Sequence, residues 1–180
     1  MTEAWYAVYA KFQHEKSAAA LLSKKQFEVF LPLYRTVHRW NDRNQIVILP
    51  LFPCYLFVRT ELQRKTDILQ TAGIRWIVES AGRACPLPES EIDAVRRVCA
   101  ISGAQPHPFL KEGDRVRVRL GPLAGTEGLF VRVKKQFRMI VSIQLLQQSV
   151  AVEMDLSNLE FIDTASGLSP SPYEPARRTA

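Results

Sequence analysis

The sequence predicts an α+β N-terminal domain, an antiparallel sheet flanked by helices, followed by a small all-β barrel. Three observations predict this. Strand-like and helix-like stretches alternate over roughly the first hundred residues. Pro106 and Pro108 then interrupt regular pairing. Beyond them the apolar period becomes two, with Val116 and Val118 alternating with Arg115, Arg117 and Arg119. The expected organisation is a first domain over residues 1–103, a linker over 104–110, the barrel over 111–163 and a disordered tail over 164–180, which carries Pro170, Pro172 and Pro175.

The elements follow in order. Residues 5–11 are aromatic and β-favouring around Val8, a strand. Residues 15–25 turn helical: Ala18, Leu21 and Leu22 share a face, and Lys24 and Lys25 in the last turn complement the helix dipole. Residues 27–33 read as a strand broken by Pro32, and the polar residues 40–45 as a hairpin tip before Ile46, Val47, Ile48 and Leu49. Residues 55–58 form another strand, residues 66–71 a short helix stopping at Gly73, and residues 74–78 a further strand. Pro88 with Glu89 and Glu91 opens a helix whose Ile92, Val95 and Cys99 recur on one face, with Gly103 to close it. In the barrel, Met139, Val141, Ile143 and Leu145 alternate, as do Val150, Val152 and Met154.

With 47% hydrophobic and 23% charged residues among 180, the composition is that of a globular chain with room for two small domains. A formal charge of +6 tilts it toward acidic partners such as nucleic acid. No apolar run approaches the ~20 residues of a membrane helix, and the first residues lack the pattern of a secretion signal, so the expected location is the cytoplasm with no membrane partner. Cys54, Cys85 and Cys99 are odd in number and widely spaced, which indicates neither a disulfide framework nor a metal site. No phosphate loop or paired acid and base is present, and His14, His38 and His107 lie on unlike segments. The expectation is a non-enzyme without cofactor.

The most specific pattern is Gly113-Asp114-Arg115-Val116-Arg117-Val118, followed by Gly121-Pro122-Leu123-Ala124-Gly125-Thr126-Glu127-Gly128, which resembles a KOW motif. Gly121, Gly125 and Gly128 beside an alternating strand allow a sharp turn, as a generic hairpin would also need. Upstream, three stretches resemble the N-terminal (NGN) domain of the NusG family in order and spacing. They are Trp5-Tyr6-Ala7-Val8-Tyr9, Pro50-Leu51-Phe52-Pro53-Cys54-Tyr55-Leu56-Phe57-Val58 and Thr71-Ala72-Gly73-Ile74. The resemblance runs from Trp5 to about Ile162 and implies an NGN domain, an SH3-like KOW barrel and a transcription elongation/antitermination role. Cys54 stands where the family's FPGY turn has glycine, which makes the chain similar to specialised paralogues such as RfaH, UpxY and LoaP.

The resemblance further implies a polymerase-binding surface of Tyr9, Phe52, Tyr55 and Phe57 against the clamp helices of the largest RNA polymerase subunit. Aromatic side chains suit an interface, yet strand alternation requires part of the set to fill the core. Arg64, Lys65 and Thr66 align with a second polymerase contact. Lys11, Gln13, His14, Thr71 and Arg75 would meet the non-template DNA strand of the transcription bubble, phosphates giving affinity and bases preference. Arg35, Arg39 and Arg43 are candidates for upstream DNA. The KOW barrel would recruit a small-subunit ribosomal protein or Rho. The alternatives are the general housekeeping NusG factor and a KOW-containing RNA- or ribosome-binding module. β-Branched residues throughout the barrel predict strands and not a helical hairpin; only residues 142–148 are comfortable in a helix.

Overall fold

The computed structural model describes residues 3–40, 43–101, 103–108, 114–133, 136–155 and 158–163. Gly113, the hairpin residues Asn41 and Asp42, and the segment 164–180 lie outside the described residues.

The N-terminal half contains strands β1 (Ala4–Ala10), β2 (Glu28–Phe30), β3 (Leu33–Trp40), β4 (Arg43–Pro50), β5 (Tyr55–Thr60) and β6 (Ile74–Ile77), with helices α1 (Glu15–Lys24) and α2 (Lys65–Leu69). The small hairpin of β7 (Glu79–Ser80) and β8 (Arg83–Ala84) then leads to helix α3 (Glu89–Cys99). An antiparallel sheet has the order β2-β5-β1-β6, and its central strands β1 and β5 are buried on both faces. Alternation along β1 sends Tyr6, Val8 and Ala10 into one cluster with Ala18 and Leu22 of α1 and Ile68 of α2. Trp5 and Ala7 enter the other cluster, with Phe57 of β5 and Ile92, Val95 and Val98 of α3. Leu21, expected on the buried face of α1, is instead 37% exposed, because the face turned to the sheet carries the i, i+4 pair Ala18 and Leu22. Helix α3 has acids in its first turn and Arg96 and Arg97 in its last, and it ends at Cys99, ahead of Gly103. Among the described residues β3 and β4 pair only with each other, as a separate hairpin.

The C-terminal half is one sheet of order β14-β10-β11-β12-β13-β9. Its strands are β9 (Gln105–Pro108), β10 (Asp114–Val118), β11 (Glu127–Val133), β12 (Gln136–Ile143), β13 (Gln148–Glu153) and β14 (Leu159–Asp163). Gln105–Pro108, expected within the linker, is instead an edge strand on β13. Prolines are tolerated there because an edge strand need not donate on its outer side. The segment with helical residues forms only a 3-10 turn, Gln144–Leu146, closed by Gln147 in the left-handed region. The other described elements of the barrel are strands, as its β-branched residues predict.

Three glycines of the KOW motif do two different jobs. Gly121 and Gly125 have φ of +88° and +79° and make the β10–β11 turn. Gly128 sits where a Cβ would lie 2.5 Å from the Ile140 carbonyl oxygen, so it permits close approach of strands and not a turn. α3 joins the two halves: it packs on β1 and on β12 and β13, and a single buried cluster runs from Trp5 through α3 to Val152.

Candidate functional site

The predicted aromatic set divides by depth. Phe52 and Phe57 are fully buried, their rings edge to face at 5.8 Å, and both belong to the core shared with α3. Tyr9 and Tyr55 are half-buried at the opposite end of β1 from Trp5, directly across from each other in register, with ring centroids 5.2 Å apart in a T-shaped contact. Trp76 of β6 stacks on the other side of Tyr9, centroids 4.2 Å apart and planes 2° from parallel. Half of Trp76 is open to solvent, at 51% exposure. Strand pairing explains the stack, since Tyr9 and Trp76 are register partners on the same face of the sheet.

Cys54 fixes the start of β5. It holds φ of +68°, a backbone conformation that glycine adopts without strain. Its N–H donates to Glu15 Oε1 at 2.9 Å and its carbonyl accepts from Ala10 N at 2.7 Å, tying the turn to α1 and β1. That bond explains why Glu15 is buried although charged: it is partnered and sits in the first turn of α1. The Cys54 side chain hydrogen-bonds the Tyr9 hydroxyl, which raises the Tyr9 pKa, while the nearby Arg75 guanidinium pulls it down. The Cys54 side chain therefore has the Tyr9 hydroxyl as a neighbour, and the Glu15 carboxylate is engaged by the Cys54 N–H. Burial pushes the Cys99 thiol up to about 11, far from a nucleophile's range.

Lys11, Gln13, His14 and Arg75 converge where the β1–α1 turn meets the turn before β6. Lys11 N donates to Gly73 O at 2.7 Å, and His14 lies against Gly73. All four are exposed, and Gln13 takes φ of +63°. The register shift between Tyr9 and Ala10 leaves Arg75 as the bulged residue of β6, next to Trp76, and its charge acts on Tyr9. Thr71 differs from expectation. It is buried, accepts from Lys25 Nζ at 2.9 Å and donates to the Asp67 carbonyl at 3.0 Å, which makes it a brace for α2.

Of the predicted second contact, Arg64 lies over the Phe27 ring at 3.9 Å and bonds the Lys25 carbonyl, and Lys65 pairs with Glu79 at 2.7 Å. Both cations are thus engaged within the fold, whereas Thr66 is exposed. Trp76 was the residue that sequence reasoning missed. Its signal was an aromatic in a strand otherwise made of Ile74, Arg75 and Ile77, visible only once the register paired it with Tyr9.

The seam between α3 and the barrel is polar at its rim. Arg97 donates to the Ala124 carbonyl at 3.2 Å and to Thr126 Oγ1 at 3.4 Å. Beside it opens a cleft of about 840 Å³ lined by Glu91, Arg97, Thr126, Glu127, Ile140 and Ser142, among others. Burial raises the Glu91 pKa, partly offset by a hydrogen bond from the Gln144 backbone, and its Oε2 has no partner among the described residues. Among the described residues no group of three or more His, Cys, Asp or Glu side chains is placed to hold a metal, and no helix is long and apolar enough to cross a membrane.

Comparison with known proteins agrees with this architecture. The family described as transcription termination factor nusG matches residues 3–96, more than half of the chain. The chain is 28% identical over 181 residues to the transcription termination/antitermination protein NusG of Thermus thermophilus, covering 88% of this chain and 98% of that protein. It is 28% identical over 177 residues to NusG of Pseudomonas aeruginosa, covering 89% and 99%. A solved structure concerning domain interaction in Thermotoga maritima NusG superposes with a TM-score of 0.57 at 19% identity, over 91% of this chain and 99% of that one, a likeness of fold. Both relatives are transcription termination/antitermination proteins. The chain belongs to the NusG family of transcription termination/antitermination factors.

Proposed function

We propose that this factor acts during elongation by binding RNA polymerase through its N-terminal domain, at the clamp helices, while its KOW barrel recruits a second partner. The observation that carries the reading is the aromatic cluster of Tyr9 and Tyr55, half-buried at the end of a rigid sheet. Such a surface supplies large contact area at low entropic cost. Phe52 and Phe57 support it from beneath and would meet polymerase only if α3 or the barrel moved. Lys11, Gln13, His14 and Arg75 lie next to the cluster, and their exposure and charge support contact with non-template DNA of the bubble. The barrel's partner is a small-subunit ribosomal protein or Rho, and the site of action is the cytoplasm. Cys54, kept at a left-handed turn position, supports a specialised rather than a housekeeping role.

Binding changes pausing only through its differential affinity for polymerase states, so ~1–3 kcal/mol suffices for a severalfold effect. The test is a pull-down of core polymerase by the full chain and by Tyr55→Ala, with a pause assay on the same proteins. Folded Tyr55→Ala should bind at least fivefold more weakly and lose its effect on pausing. Undiminished binding by that variant would remove the proposed surface.

A further inference from the structure

We propose that Trp76, held flat by Tyr9, is a stacking platform for an unpaired base of single-stranded nucleic acid. This rests on the reading of Lys11, Gln13, His14 and Arg75 as a nucleic-acid surface and names the residue that would read base rather than phosphate. One face of the indole is covered by Tyr9, with planes 2° from parallel, so the exposed half of the side chain presents the other face. Tyr9 is itself held on two sides, by Trp76 and by the Tyr55 ring. The platform is therefore held in place before any ligand arrives, and a base joining it would extend a stack already formed. Base–aromatic stacking tolerates any sequence because every base has a π face.

Charge favours this occupant over a protein surface. Arg75 lies near enough to act on the Tyr9 hydroxyl, and exposed Lys11 opens the turn just after β1, one residue beyond Ala10. An apolar partner covering Trp76 would have to bury or displace these cations, and a cationic one would be repelled. A phosphate backbone is attracted to both while leaving its bases available to stack. Phe12, 66% exposed in the turn after Lys11, adds a second ring within the same turn region.

The experiment measures binding of the full-length chain to oligothymidylate, to oligouridylate and to an abasic deoxyribose-phosphate strand of equal length, at fixed salt. Trp76→Ala should lose roughly tenfold in affinity for a base-bearing strand and nothing for the abasic one, while Trp76→Phe should retain most of the affinity. Lys11→Ala and Arg75→Ala should weaken all strands alike and flatten the salt dependence. Loss on either base-bearing strand supports the platform and identifies the strand. If the wild type binds abasic and base-bearing strands equally, or Trp76→Ala binds as wild type, stacking is overturned while the cationic surface stands. Absence of binding to every strand overturns both.

Discussion

Gly128→Ala isolates what the KOW glycines do, because the cause there is contact and not conformation. The new methyl would stand 2.5 Å from Ile140 O and 3.0 Å from Met139 Cγ. An ordinary carbon–oxygen contact is ~3.3–3.6 Å, so the strands must part by roughly an ångström. β11 and β12 are paired without interruption from Leu129↔Ile140 to Val133↔Gln136, so that movement lengthens ladder hydrogen bonds as well as shifting Met139. Overpacking costs ~1–3 kcal/mol and each weakened bond ~1 kcal/mol, giving a loss of about 2–4 kcal/mol. For a chain of this size that lowers the midpoint by roughly 5–15 °C. Gly121→Ala is the control: its methyl meets nothing within 4 Å, and only the φ of +88° resists it, at ~1–2 kcal/mol. Thermal and guanidinium unfolding followed by circular dichroism should rank Gly128→Ala well below Gly121→Ala. If Gly128→Ala melts within a degree of wild type, or above Gly121→Ala, the close-approach argument is wrong.

Two further outcomes follow from the same geometry. Cys54→Gly relieves a non-glycine residue at φ +68° and should stabilise the fold by about 0.5–1 kcal/mol in urea, less the lost Tyr9 hydrogen bond; a destabilised variant would mean that the side-chain bond outweighs the strain. Burial raises Glu91 above its ordinary 4.5, so the folded chain binds that proton more tightly than the unfolded one. The favourable contribution is complete below the ordinary value and is lost as pH rises through the raised folded value. Glu91→Gln should therefore raise the midpoint at pH 7.5, by a few tenths of a kcal/mol because the group is only half-buried, with the gain shrinking on acidification; a gain independent of pH would point to packing instead of charge.

Local chemistry was enough to determine most elements. The 3.6 period of Ala18 and Leu22, the acids opening α3 and the two-residue alternation around Val116 depend on neighbours in the chain, and each gave the element found. Turn glycines 121 and 125 were legible for the same reason, since a left-handed backbone is a property of the residue itself. Other features depended on what lies across the fold. Gln105–Pro108 became a strand because β13 offered an edge to pair with. Thr71 was lost to the candidate surface because Lys25, far away in sequence, reaches its hydroxyl. The aromatic residues most divided these two sources of information. Their presence near Tyr9 and Phe57 was plain in the sequence, but only the packing of α3 decided that Phe52 and Phe57 are buried. Only the β1–β6 register brought Trp76 flat against Tyr9 with one face in water. A residue's exposure is set by the elements that cover it, and those are specified by contacts distant along the chain.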